Sequence, residues 1–193
     1  MIGIFLDIES NGLNVMKHRV IEIALKFVDL LFEKEIASYH SIIKQTYEVW
    51  GKSDPASLAV NGFKFEMLEI GKTELEVSQE IISLFHTHQI TRGKAVYICQ
   101  NPSFDRSFFS QLVDPKIQET SKWPYHWLDL ASMFWSLTLK DYYLKKTPPP
   151  WELGISKNNI AKTLGLQEET LPHKAMQGVE HLIECYFALN AKR

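Results

Sequence analysis

The sequence predicts an α/β layer fold, and three observations predict it. Apolar strand-like runs open the chain, helical periodicities interleaved with one further strand follow, and the pattern closes on an amphipathic helix. Residues 2–6 are apolar and read as a buried strand. Residues 20–28 alternate, with Ile21, Ile23, Leu25 and Phe27 set against Glu22, Ala24 and Lys26, the period-two signal of a strand. Residues 36–43 form a third strand. Ser10-Asn11-Gly12 supplies turn chemistry between the first two, so an antiparallel meander is expected to open the fold.

Helices are expected next. Thr73 and Glu76 have capping-box spacing at the start of a helix over 75–86, where Val77, Ile81, Leu84 and Phe85 share one face. Residues 95–99 read as a short apolar strand, and 103–113 and 129–137 as helices. Ser156 caps a short helix ending at Gly165. Residues 175–188 form a final amphipathic helix carrying Met176, Val179, Leu182, Ile183 and Tyr186. The segment 145–151, with Pro148-Pro149-Pro150, reads as a surface loop or a stiff polyproline turn.

The length of 193 residues suits one domain spanning 1–193, burying about 70% of the unfolded chain's surface. A hydrophobic content of 45% with 23% charged residues excludes a disordered tail, a collagen-like chain and a coiled coil. No apolar stretch approaches the roughly 20 residues of a membrane span. The run 2–6 is too short for a signal-peptide core and leads straight into Asp7 and Glu9. Two cysteines, Cys99 and Cys185, build neither a disulfide framework nor a four-cysteine zinc site, so a reducing cytoplasmic location and no membrane partner are expected. With 21 Lys+Arg against 23 Asp+Glu, the chain does not coat long duplexes by neutralising phosphates, although it is free to grip a nucleic-acid end.

Three places carry chemistry. In Phe5-Leu6-Asp7-Ile8-Glu9-Ser10, a strand puts Asp7 and Glu9 on the same side. Two adjacent carboxylates repel unless a cation lies between them or one is protonated, and a hard divalent ion such as Mg²⁺ or Mn²⁺ is the natural occupant of an all-oxygen site. The same pair also fits a solvated strand end. Asp105, in the first turn of its helix, is placed either for a metal or for the helix dipole. His173 opens the last helix, where a catalytic and a structural histidine look alike.

Together these pieces resemble the DEDDh exonucleases, the family of polymerase proofreading subunits and ribonuclease T. Asp7-Ile8-Glu9-Ser10 is similar to the first motif, with Ser10 where Thr is usual. Gln100-Asn101-Pro102-Ser103-Phe104-Asp105-Arg106 is similar to the second, and His173-Lys174-Ala175-Met176 to the third. Val20-Ile21-Glu22-Ile23-Ala24 resembles the family's second strand. The stretch from Pro55 to Asn61-Gly62-Phe63 resembles the segment touching the terminal nucleotide, and residues 158–166 resemble the short helix before the third motif. The resemblance implies a ribonuclease H-like fold, a mixed five-stranded sheet flanked by helices, and stepwise 3′→5′ hydrolysis of single-stranded DNA, RNA or short oligonucleotides to nucleoside monophosphates. It implies two Mg²⁺ or Mn²⁺ ions held by Asp7, Glu9 and Asp105, with His173 as general base. Ile8, Ser10, Asn61, Gly62, Phe63 and Phe104 are the implied substrate contacts. The implied partners are single-stranded 3′ ends, a second copy in a homodimer, and a polymerase.

One position departs from the pattern. The family has an acidic residue five positions after the catalytic histidine, and here that position is Gly178. Glu180 lies about 200° around the helix from it, and Gln177 offers only a neutral amide. The departure leaves three readings: an enzyme with weakened metal binding, a degenerate module that binds 3′ ends or a protein partner without cutting, or an introduced substitution. Three carboxylates and two divalent ions sum formally to about +1, enough to attract a phosphate to a slightly acidic chain.

Other residues read as structure first. His86 and His88 splay apart on a helix, and Trp127 reads as packing. Phe63 and Phe104 are better placed than the Trp123–Trp127 cluster to stack a base. Lys122, Lys145 and Lys146 read as solvated surface.

Overall fold

The computed structural model describes residues 1–191. Five strands, β1 (Ile2–Ser10), β2 (Val20–Asp29), β3 (Lys34–Ile42), β4 (Ala95–Cys99) and β5 (Trp127–Asp129), form one sheet in the order β3-β2-β1-β4-β5. The pairs β1–β2 and β2–β3 are antiparallel, whereas β4 adds to β1 and β5 to β4 in parallel. This is the mixed five-stranded sheet, antiparallel at first, that the resemblance implies; the residue pattern alone marks four of its strands and misses the three-residue β5.

Helices cover both faces. On one, Ile4, Leu6, Ile23, Leu25 and Phe27 pack with Val77, Ile81 and Phe85 of α4 (Glu74–Thr87) and with Phe108 and Phe109 of α5 (Pro102–Leu112). On the other, Phe5, Ala24 and Val28 pack with Leu130 and Phe134 of α7 (Leu130–Tyr143) and with Val179, Leu182 and Cys185 of α10 (Ala175–Ala191). The alternation in β2 therefore does not separate core from solvent. Glu22 is only 3% exposed, because α10 lies over the face to which it points. The Thr73–Glu76 capping box forms as expected.

The remaining helices are short: α1 (Tyr47–Trp50), α2 (Pro55–Asn61), α3 (Phe65–Glu69), α6 (Pro115–Thr120), α8 (Pro150–Leu153) and α9 (Lys157–Leu164). Among them only α9 was expected. The others are one or two turns long, too short for periodicity to register. Caps and an N-terminal proline start α2 and α6, where Asp54 accepts from the Ala56 N–H and Asp114 from the Lys116 N–H. One expectation needs correcting. The polyproline segment is not simply a loop: Pro150 is the first residue of α8, and it and Pro149 are buried. The turn chemistry after β1 opens a connection over residues 11–19. Buried Asn11 organises them, accepting the Arg19 N–H at 2.7 Å and donating to Val49 O at 3.2 Å and Ser53 Oγ at 3.0 Å. Among the described residues, no helix is long and apolar enough to cross a membrane.

Candidate active site

β1 places Ile4, Leu6 and Ile8 against α4 and α5, so the alternation turns Asp7 and Glu9 to the opposite face, the one α10 covers. β4 ends beside β1, and its chain turns through Asn101, in the left-handed conformation at φ 58°, into α5. The Asn101 N–H is held by Asp129 Oδ1 at 3.1 Å. That turn sets Asp105, 3% exposed, in the first turn of α5. Asp7, Glu9, Asp105 and His173 all line one cleft, together with Ile8, Ser10, Asn61 and Phe104.

Two clamps fix the far wall. Glu22 Oε2 accepts the Ala175 N–H at 2.8 Å, capping α10 from the sheet, while Oε1 meets His40 Nε2 at 2.7 Å. The His173 N–H donates to Val60 O at 3.0 Å, Lys174 Nζ donates to Asn61 O at 2.9 Å, and Asn61 Nδ2 donates to Ser10 O at 3.0 Å. The α2 segment and the approach to α10 are thereby tied to the end of β1.

Electrostatically the carboxylates are crowded. Burial lifts the Asp7 carboxyl to about 6, with Lys157 opposing the rise and Glu169 and Glu22 adding to it. Glu9 is pushed up to about 8, first by burial, then by Asp7 and Glu22, with a hydrogen bond from Asn61 acting against them. Burial and Asp7 likewise push Asp105 well up. Among the described residues, no group of three or more His, Cys, Asp or Glu side chains is arranged to hold a metal ion as it stands. The donor chemistry nevertheless suits one. Three half-buried or buried carboxylates repelling one another in a single cleft are what a hard divalent cation stabilises, and every donor is oxygen.

Lys157 and Glu169 also belong to the site, although the sequence pattern does not single them out. Lys157, the first residue of α9, sends Nζ to Glu169 Oε2 at 2.9 Å and Gly178 O at 3.3 Å, and 3.8 Å from Asp7 Oδ1. Glu169 is held by its neighbour in the fold: the Glu169 N–H donates to Asn158 Oδ1 at 2.8 Å. Both side chains line the cleft. Neither lies in a motif or a periodic run; the one signal was a lysine beside the cap at Ser156 and a Glu168-Glu169 pair shortly before His173.

Two expected substrate contacts sit elsewhere. Phe63 is 4% exposed, packs with Ile21 and Leu68, and has Lys174 Nζ 3.6 Å from its ring centre, so neither it nor Gly62 lines the cleft. Gly62 instead terminates α2 at φ 66°, where Leu58 O accepts its N–H. Trp127 stacks on Tyr97 with centroids 4.0 Å apart, a packing role as expected. His88 lies against Phe27 and Glu180 pairs with Lys26, both outside the cleft. Lys122, Lys145 and Lys146 do not line it either.

A family model described as exonuclease, RNase_T, matches residues 4–186. The chain belongs to the RNase T exonuclease family. No curated protein matches this RNase T exonuclease domain. Among solved structures, it is similar to the zinc-bound complex of Escherichia coli exonuclease I with single-stranded DNA, at 16% identity and TM-score 0.75, over 100% of this chain and 41% of that one. It is also similar to a full-length 3′-exonuclease (12% identity, TM-score 0.72, 99% of this chain and 60% of that one). A third is the nuclease domain of 3′hExo, a DEDDh family member bound to rAMP (11% identity, TM-score 0.70, 99% and 92%). The chain thus spans less than two thirds of the first two structures' length. At these identities the likeness shows the fold, and that fold is the ribonuclease H-like one.

Proposed function

We propose that this exonuclease domain is a divalent-metal-dependent 3′→5′ exonuclease that removes nucleoside monophosphates from single-stranded DNA, RNA or short oligonucleotides. The observation that carries the reading is the convergence of Asp7, Glu9, Asp105 and His173, from three separate parts of the chain, on one cleft. Asp7, Glu9 and Asp105 are the residues that would hold Mg²⁺ or Mn²⁺, and a bound divalent ion supplies Lewis acidity to the phosphate and acidifies a water.

The chain's own residues supply the rest. Phe104 offers apolar surface to the terminal base, and Asn61 and Ser10 fix the end of β1 beside it, where Ile8 lines the cleft although its side chain packs into the core. His173, lining the same cleft, accepts the proton of the attacking water as the water oxygen bonds to phosphorus. The bond from phosphorus to the 3′ oxygen of the preceding residue breaks, and that oxygen takes a proton from solvent. The products are a nucleoside 5′-monophosphate and a chain one residue shorter with a new 3′-hydroxyl.

A 5′-labelled oligonucleotide incubated with Mg²⁺ or Mn²⁺ should give a shortening ladder that EDTA abolishes. Folded protein that binds the oligonucleotide but gives no ladder with either ion would sink the reading. That outcome would favour a module that grips 3′ ends without cutting them, a second reading prompted by Gly178 and by the ammonium beside Asp7.

A further inference from the structure

We propose that the Lys157 ammonium, paired with Glu169, is a built-in cation of the nuclease cleft that stands in the place of one of two metal ions, so that the chain takes up a single divalent ion. The inference rests on the exonuclease reading and sharpens it.

Three oxygens from different parts of the chain converge on Nζ. Glu169 Oε2 lies at 2.9 Å, Gly178 O at 3.3 Å and Asp7 Oδ1 at 3.8 Å. The ammonium is within hydrogen-bond distance of Glu169 and the Gly178 carbonyl and faces Asp7 as an ion pair beyond hydrogen-bond reach, so these oxygens surround it as they would a cation. The side chain is 12% exposed and Glu169 5%, so this is a buried ion pair in a fixed place rather than a surface lysine passing by. Burial works against the charge, yet Asp7 and Glu169, with a smaller contribution from Asp105, together raise the ammonium above its ordinary range.

Gly178 is part of the same arrangement. A Cβ at 178 would come within 2.7 Å of Asp7 Cγ and would run into Asp7 Oδ2. The bare backbone therefore does two things at once. It admits the Asp7 carboxylate to the surface of α10, and it presents its carbonyl to Lys157. The carboxylate absent from position 178 has a counterpart in Glu169, which reaches the cleft from the chain between α9 and α10 and is already neutralised by Lys157. Among the described residues Lys157 ion-pairs with neither Glu9 nor Asp105, although its charge also acts on Asp105, and these two carboxylates remain for a divalent ion.

The test counts ions. Electron paramagnetic resonance of free Mn²⁺ during titration into the protein gives the number bound per chain for the wild type, Lys157→Met and Lys157→Arg, with circular dichroism to confirm folding. The wild type and Lys157→Arg should each saturate at one Mn²⁺. Lys157→Met, which keeps the length of the side chain and removes its charge, should saturate at two. Two Mn²⁺ in the wild type, or an unchanged count and affinity in Lys157→Met, would overturn the proposal; the wild-type count alone decides it if Lys157→Met does not fold. A wild type that takes two ions and cleaves an oligonucleotide overturns the built-in cation and leaves the exonuclease standing. One that neither binds Mn²⁺ nor cleaves overturns both.

Discussion

The Asp7 carboxylate occupies the space in front of Gly178 that any side chain at that position would need. A missing ligand at 178 is therefore not an empty slot awaiting an aspartate. Gly178→Asp alone is expected to leave oligonucleotide cleavage unimproved, or to lower it, because the new Cβ drives Asp7 off its seat beside Lys157. Combined with Lys157→Met, the same substitution gains a fourth carboxylate with no resident ammonium, and cleavage should exceed that of either single variant. The rates of all four proteins form a double-mutant cycle, and the coupling is expected to be at least about 1 kcal/mol, within the range for residues in contact. Simple additivity would show that the two positions act independently.

Stability of the metal-free protein should fall as pH rises toward 8. Glu9 titrates near 4.5 when exposed and at about 8 in the cleft, so between those values the folded chain holds a proton that the unfolded chain has released. More protons bound in the folded state means that unfolding becomes easier with rising pH. The melting temperature in EDTA should therefore decline from pH 5 to pH 8, and Glu9→Gln should flatten that decline. Added Mn²⁺ competes with the same proton, so its affinity should tighten over the interval. A melting temperature that climbs with pH in EDTA, with no change in Glu9→Gln, would contradict the assignment.

His173 and Asp105 are separable by the same assays. Replacing the proposed base, His173→Ala, should reduce the cleavage rate by about 100-fold or more while Mn²⁺ binding persists. Asp105→Asn should reduce both cleavage and Mn²⁺ affinity, since Asp105 is buried against the cleft with Asp7 as its charged neighbour. Loss of Mn²⁺ binding in His173→Ala would place the imidazole in the metal's environment instead.

Much of this site was legible in the sequence because its parts are local. Asp7 and Glu9 share a face through the strand period, Asp105 lies in the first turn of a helix that Pro102 opens, and His173 lies two residues ahead of α10, which its apolar period marks. What could not be read were the long-range partnerships. Glu22 looks solvent-facing within its own strand, and only the packing of α10 over the sheet buries it. Lys157 and Glu169 are an ordinary lysine and glutamate until α9 and the chain before α10 bring them together at Asp7. Phe63 differs in the opposite sense: Val60 and Asn61 just before it line the cleft, but its ring turns into the small core around Ile21 and Leu68.

Phe63 and Phe104 should consequently separate folding from binding. Phe63→Ala removes a buried ring and should cost about 3–5 kcal/mol of stability in urea unfolding. Phe104 lines the cleft with part of its surface free and its ring centre 4.7 Å from that of Phe108. Phe104→Ala should weaken oligonucleotide binding by about 1–3 kcal/mol, the range for a base stacked on an aromatic ring, with a smaller loss of stability. Unchanged affinity in Phe104→Ala would remove that residue from the substrate surface.

Glu22 offers the sharpest link between fold and chemistry, since its carboxylate caps α10 from the neighbouring face of the sheet. Glu22→Ala leaves the buried Ala175 N–H without its acceptor, and a lost hydrogen bond to a charged group in that setting should cost about 2–3 kcal/mol. Glu22→Gln keeps an oxygen in place and should recover more than half of the loss. Because His173 lies two residues before Ala175, Glu22→Ala should also slow cleavage at saturating oligonucleotide, even under conditions where the protein is fully folded. A stability loss with an unchanged turnover rate would show that the clamp holds α10 without setting the position of the imidazole.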